Sequence, residues 1–233
     1  MKAKRINFKK LLLFIVEGST DKIALENILK KIFSDKKICF KTIYGDVTSE
    51  EETTVENIDG KIAAYVKDFL TRNIAFKKTD IMEIIHLTDL DGVFLSDRRI
   101  IYDKDADIFY DNKHIRTGKS FKIIERNRRK SEVLKHLSSV NSIKGVNYSI
   151  YFFGANMEHV FCNSANCTDG EKESCAYGFA QSFKGREKEF PVFLKEQKVV
   201  RNWTYEESWK FVESGVNSLK RLTNINVLLE KFK

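Results

Sequence analysis

Three carboxylates pose the first chemical question in this chain. Glu17 directly follows the apolar run Leu11–Val16, while Asp89 and Asp91 follow the run Ile81–Leu87 in the stretch Thr88-Asp89-Leu90-Asp91-Gly92. Residues two apart in an extended segment point the same way, so both aspartates can face one spot. Three acids at neighbouring strand ends repel each other unless a cation neutralises them. Hard oxygen donors suit Mg²⁺ or Mn²⁺, ions that keep several waters and bind phosphate oxygens. One or two such ions can activate water and stabilise a leaving oxygen during phosphodiester cleavage. Singly, each piece is commonplace, since a strand-end acid is usually a solvated turn residue. Position in the fold has to make the set specific.

The elements that would position these acids are readable. Leu11–Val16 is a short continuous apolar run, the pattern of a strand covered on both faces in a parallel sheet. Glu17-Gly18 ends it, Ser19 or Thr20 can cap a helix, and Ile23, Ala24, Leu25, Ile28, Leu29, Ile32 and Phe33 give that helix an apolar face. Ile38–Tyr44 reads as a second strand closed by Gly45-Asp46, Val55–Leu70 as a second helix, and Ile81–Leu87 as a third strand. Strand, helix, strand, helix, strand with short links predicts an α/β fold with a parallel sheet. Ligands of such sheets bind beyond the carboxyl ends of the strands, where Glu17, Asp89 and Asp91 fall. Further on, Tyr148–Phe153 reads as a strand, Met157–Cys162 opens a helix, and Glu171–Lys184 and Tyr205–Lys231 read as helices. The chain is read as one domain over residues 1–233, with a core at 11–95, a basic segment at 96–146 and a strand with helices at 147–233.

Bulk properties narrow the partners. The 233 residues carry a net charge of +8, which suits a polyanion such as nucleic acid. Charge is also segregated. Lys113, Arg116, Lys119, Lys122, Arg126, Arg128, Arg129, Lys130, Lys135 and Lys144 crowd a stretch holding only Glu125 and Glu132 as acids between Asn112 and Lys144, whereas Glu50–Asp59 is acidic. Arg126, Arg128, Arg129 and Lys130 are the candidate phosphate contacts, set against the plainer reading of a solvated helix face. No run reaches the roughly 18 apolar residues of a membrane span. The basic start is followed by too short an apolar run for a signal peptide, so a cytoplasmic protein is expected. Cys39, Cys162, Cys167 and Cys175 form no CxxC pair and are expected to be reduced thiols rather than zinc ligands. Asp103-x-Asp105-x-Asp107 opens like an EF-hand loop, but Ile108 and His114 stand where glycine and glutamate are needed.

Taken together, LLLFIVEGSTD and, some way downstream, IIHLTDLDG resemble the Toprim domain of topoisomerases, primases and OLD-family nucleases. The resemblance implies a Toprim-like Rossmannoid sheet, with Glu17 and the Asp89/Asp91 pair as the Mg²⁺ (or Mn²⁺) site of a nuclease. Asp21 matches the second acid of the EGxxE/D version typical of OLD-like nucleases, or is simply a favourable acid in a helix's first turn. Glu158, in Asn156-Met157-Glu158-His159, matches a further acid of those enzymes, whereas His159 reads as an ordinary helix histidine. OLD-like sites also use a downstream lysine against transition-state charge. Lys184 is the candidate catalytic residue for that role, with Lys188 and Arg186 competing. Arg116-Thr117-Gly118-Lys119-Ser120 lacks the upstream glycine of a Walker A loop. The chain therefore resembles the stand-alone Toprim nucleases of bacterial phage-defence (abortive-infection) systems, which work beside a separate ABC-type ATPase. An endonuclease acting on DNA or RNA is expected, with homo-oligomerisation left open. A nucleic-acid-binding or ATPase-associated regulatory module with a non-catalytic Toprim site is the alternative, and a phosphotransferase with Asp89 as nucleophile is a third reading. Trp203, Trp209 and Phe211 are the expected docking surface for a partner.

Overall fold

A computed structural model describes residues 10–233. Strand β1 (Leu11–Val16) lies inside a five-stranded sheet between the edge strand β2 (Lys37–Thr42) and the middle strand β3 (Ile81–Asp89); beyond β3 come β8 (Val146–Phe153) and the two-residue β7 (Ser142–Ile143). The first four strands run parallel and β7 pairs antiparallel with β8. All six residues of β1 are fully buried, as a strand covered on both faces requires. Helices α1 (Ser19–Ile32) and α2 (Val55–Arg72) make the first two crossovers, close to their expected bounds.

Leu12, Phe14 and Val16 pack into one apolar layer with α1, α4 (Met157–Cys162), α5 (Asp169–Ser182), α6 (Phe190–Glu196) and α8 (Ile225–Lys231). Leu11, Leu13 and Ile15 pack into the other with α2, α3 (Ser120–Ser139) and α7 (Tyr205–Val212). The period of two in β1 thus splits one apolar run between two layers. Helix α3 is the element that the basic composition of its segment hides. Ile123, Asn127, Lys130, Leu134 and Leu137 are its buried stripe, three or four residues apart. Ahead of it, β4 (Ile100–Tyr102), β5 (Phe109–Tyr110) and β6 (Ile115–Thr117) form a small separate sheet in the order β4-β6-β5.

Three expectations are corrected. Tyr205–Lys231 is not one helix but α7 and α8, separated by Gly215 in the left-handed region (φ +61) and a short 3-10 turn at Asn217–Leu219. Trp209 is buried and meets Phe152 edge-on at 5.1 Å, and Trp203 packs on Phe211 at 5.6 Å with Arg201 stacked over the Phe211 ring. These aromatics complete the core rather than form a docking surface. Cys162 and Cys175 are bonded as a disulfide, not reduced, because packing of α4 on α5 brings their Cα atoms to 6.1 Å. Spacing in sequence cannot show such a contact, and bonds of this kind are rare in reducing compartments. No helix of the described residues is long and apolar enough to cross a membrane.

Behind β8 the chain is tied down by the segment leading into α8. Gly154 N–H donates to Leu222 O at 2.7 Å and Ala155 N–H to Ser218 O at 2.9 Å, while Thr223 Oγ1 donates to Phe152 O. A Cβ on Gly154 would stand 2.0 Å from Lys220 O, backbone that cannot step aside. Gly154→Ala is therefore expected to lower stability by about 2–3 kcal/mol in urea unfolding. Gly178→Ala, in the body of α5 with nothing within 4 Å, should raise it by up to about 1 kcal/mol. Equal midpoints for the two variants would refute this account of the crossing.

Candidate metal centre

Each of the four parallel strands delivers acids at its carboxyl end. Glu17 follows β1, Asp46 lies in the loop after β2, Asp89 ends β3 with Asp91 just beyond, and Glu158 follows β8 in the first turn of α4. All of them, with Asp21 in the first turn of α1, line one wide cleft of ≈ 1270 Å³. The floor is held by an unusual backbone path. Asp91 and Ala155 are both left-handed (φ +50 and +54), and Asp91 N–H donates to Ala155 O at 2.8 Å. Gly92 follows in the same region (φ +67), where a Cβ would lie 2.8 Å from Leu219. That path ends the strand and turns Asp91 away from the line of Asp89.

The two aspartates consequently have different surroundings. Glu17 Oε1 accepts from Thr88 Oγ1 at 2.9 Å and from the Asp89 N–H at 3.2 Å, which locks Glu17 against the end of β3. Asp89 Oδ1 is buried with no hydrogen-bond partner. Asp91 instead accepts from Tyr110 Oη at 3.0 Å on Oδ1 and from Lys130 Nζ at 2.9 Å on Oδ2. Lys130, fully buried, is also 2.6 Å from Asp46 Oδ2. Asp46 Oδ1 in turn accepts from Thr48 N–H at 2.9 Å and from the Thr48 hydroxyl.

The charges divide accordingly. Burial drives the Glu17 carboxyl well above the ordinary glutamate range, with the Asp46 charge adding to it and Lys130 opposing it. Burial drives Asp89 well up too, joined by repulsion from Glu17 and Asp21. Asp21, buried near Glu158, is pushed up to about 6 although the Gly18 N–H it accepts at 2.8 Å works against this. Burial also raises Glu158. Burial pushes Asp46 and Asp91 the same way, but there the ammonium wins. Lys130 holds Asp46 down at about 2, and Lys130 with Arg126 holds Asp91 below its ordinary value. Lys130 itself is desolvated, yet Asp46 and Asp91 raise its pKa, so it stays charged.

The sequence-derived candidates sort themselves on this geometry. Glu17, Asp21, Asp89, Asp91 and Glu158 share the cleft, but among the described residues no three His, Cys, Asp or Glu side chains stand close enough to hold one ion between them. Asp91 is drawn off by Lys130. Glu17 and Asp89 do fit a divalent cation by their chemistry: adjacent carboxylates, one buried oxygen without a partner, and, among the described residues, no cation paired to either. Lys130 is corrected as a phosphate contact, since it has no exposed atom to offer a ligand outside the cleft wall. Arg126 faces inward as well, donating to Asp91 O at 3.0 Å and to Asn127. Of the four, Arg128, exposed and paired with Asp97, keeps the expected surface character, whereas Arg129 is half-buried, reaching Ser49 O with its Nε buried and unpartnered. Lys184 is corrected too. It lies past the far end of α5, a 14-residue helix whose first turn borders the cleft, so roughly 20 Å separates them. Lys172, near the start of α5, lines the cleft in its stead. Besides Lys172, the roles of Asp46, set in a polar loop, and of Lys130, set in the basic run Arg126–Lys130, escaped sequence reading. The stripe Ile123, Asn127, Lys130, Leu134, Leu137 was the available signal.

A carboxyl whose folded pKa is raised binds its proton more tightly folded than unfolded, so stability falls as pH rises from the ordinary carboxylate value towards the raised one. Metal-free protein should lose stability from pH 5 to 7.5, by up to about 1.4 kcal/mol per pH unit for each proton involved. Asp89→Asn should flatten that slope, and Mn²⁺ should stabilise the wild-type protein at pH 7.5 but not the variant. Thermal melts in EDTA and in Mn²⁺ measure both. Parallel slopes for the two proteins would mean that Asp89 carries no such strain.

Compared with known proteins, the chain matches no family model, no curated protein and no solved structure.

Proposed function

We propose that this chain is a Mg²⁺- or Mn²⁺-dependent nuclease of the Toprim type, cleaving phosphodiester bonds of DNA or RNA. One observation carries the reading. Glu17 and Asp89, at the carboxyl ends of adjacent central strands, stand half-buried beside each other, and among the described residues no cation pairs with either, while the neighbouring Asp46 and Asp91 share Lys130. Carboxylates so placed at neutral pH call for a positive ion, and the position is where open parallel sheets bind ligands. A divalent ion bound there would polarise a phosphate oxygen and lower the pKa of a bound water. Glu17 and Asp89 would hold it, with Asp21 and Glu158 close by in the same cleft.

The rest of the cleft suits a nucleic-acid strand. Lys172 presents an ammonium at the wall and is the side chain that could meet phosphate charge in place of Lys184. Tyr44 and Phe109 border the cleft and are 83% and 46% exposed, and rings so presented offer flat faces on which bases stack. Arg128 and Arg129 add positive charge on the outer side of α3. The Toprim resemblance extends the reading to an effector of antiviral defence, cytoplasmic and governed by a separate ABC-type ATPase. In a reducing cytoplasm Cys162 and Cys175 would stand as thiols, and α4 and α5 would be held by their packing alone.

A specific observation favours the second reading, a non-catalytic module. Lys130 already neutralises part of the acidic cluster, so the fold tolerates the cluster without full metal loading. Cleavage assays on plasmid and RNA separate the two. Glu17→Gln should abolish Mn²⁺-dependent cleavage without altering the fold. Lys172→Ala should lower the rate by about 10²-fold or more, as loss of a transition-state charge partner does, and Lys184→Ala should leave it unchanged. Replacing Arg128 and Arg129 with serine should flatten log K against log salt by up to about 0.9 for each phosphate of duplex DNA that the protein then leaves unneutralised. Wild-type protein that binds nucleic acid but never cuts it in either metal would establish the non-catalytic reading instead.

A further inference from the structure

Lys130 is the feature of the cleft that the nuclease reading leaves over. Its ammonium is fully buried and lies 2.6 Å from Asp46 Oδ2 and 2.9 Å from Asp91 Oδ2. The remaining oxygens of those two acids are also engaged. Thr48 donates to Asp46 Oδ1 through its N–H and hydroxyl, and Tyr110 donates to Asp91 Oδ1. Each oxygen of the two acids thus faces a donor or the ammonium, Asp46 Oδ2 being ion-paired to Lys130 without a hydrogen bond. Across the cleft the opposite holds. Asp89 Oδ1 is buried with no partner, and the hydrogen bonds to the Glu17 carboxylate from the described residues all fall on Oε1.

A site with carboxylates on both sides could hold two divalent ions, about 3.5–4 Å apart in enzymes that use a pair. Here one side is already filled by a side chain. Helix packing enforces the choice, because Lys130 lies on the same buried stripe as Ile123, Leu134 and Leu137 and has no route to solvent without moving α3. Arg126, one turn earlier on that helix, adds a second fixed cation at Asp91 O. We infer that Lys130 is a built-in second cation: the cleft takes a single divalent ion on the Glu17–Asp89 side, and Asp91 is the counter-ion of Lys130 rather than a metal ligand. This rests on the metal-centre reading above and says how many ions it takes and which acids hold them. Lys130 is accordingly a positioning residue, keeping Asp46 and Asp91 out of the coordination sphere.

The test uses the full chain and Mn²⁺ alone, with free Mn²⁺ followed by its electron paramagnetic resonance signal, so no cleavage is needed as readout. Wild-type protein should bind one Mn²⁺ per chain in the tight phase. Two ions would overturn the inference and leave the metal-centre reading standing, whereas none would remove that reading and the inference with it. Lys130→Met frees two carboxylates and should bind two Mn²⁺ per chain, with a metal-dependent rise in Tm larger than that of wild type. Because that variant can fail to fold, the triple variant Lys130→Met, Asp46→Asn, Asp91→Asn removes the three charges together. It should fold and still bind one Mn²⁺, with Kd within about tenfold of wild type. Loss of the ion from a folded triple variant would show Asp91 or Asp46 to be a ligand and overturn the assignment.

Discussion

Like charge crowded at one edge of a buried sheet is the constraint on which the rest of this structure depends. A parallel sheet sends every strand end to the same side, so acids that would be unremarkable singly converge there. Partial burial makes each of them costly to ionise, and proximity compounds the cost. Half of the problem is settled within the chain by Lys130 between Asp46 and Asp91. Such an arrangement adds little net stability over an apolar substitute, because the ammonium and both carboxylates lose their water. Removing one partner is another matter, since it strands an unpaired charge in the interior at a cost of about 3–5 kcal/mol. The triad is therefore a fixture rather than a source of stability.

Construction of the floor follows from the same constraint. β3 has to end between Asp89 and Asp91 for the two carboxylates to meet different neighbours. The left-handed residues Asp91, Gly92 and Ala155 make that break, and they are fastened to each other and to the segment from Ser218 to Leu222. The small β4-β6-β5 sheet has a related role, since it carries the Tyr110 hydroxyl to Asp91. Asn166 clasps the backbone of Tyr110 in both directions, at 2.7 and 2.8 Å, and so joins that sheet to the loop after α4. Side chains from distant parts of the chain thereby hold one carboxylate in place.

Much of this was legible beforehand where a single physical rule governed the segment. The fully buried runs of β1 and β3 declare themselves because both faces of a central parallel strand are covered, and Glu17 and Asp89 are found because strand ends in such sheets are where polar groups collect. Legibility failed where two signals competed. In Arg126–Lys130 the density of basic residues spoke of a solvated or phosphate-binding surface, while the stripe from Ile123 to Leu137 placed Lys130 inside. Burial of a charge is decided by partners far off in sequence, here Asp46 and Asp91, and no local pattern reports them. Asp91 differs from Asp89 in its partners for a matching reason. The DxD spacing puts two side chains on one face only while the chain stays extended, and the left-handed turn at Asp91 breaks that premise. The division of the last helix at Gly215 and the meeting of Cys162 with Cys175 belong with these, being consequences of tertiary packing.

The crossing of Gly154 by the Lys220–Leu222 backbone has a consequence for how the protein comes into being. Chains are made from the amino end and fold as they emerge. Glu17, Asp21, Asp46, Asp89, Asp91 and Glu158 all precede residue 160, yet the loop that sets Asp91 apart from Asp89 is pinned by Ser218 and Leu222, which are made later. A nascent chain thus carries those six acids before it has the brace that fixes their arrangement. Assembly of the centre waits for residues 218–222, and a chain halted shortly before residue 218 would hold those six acids but not their arrangement.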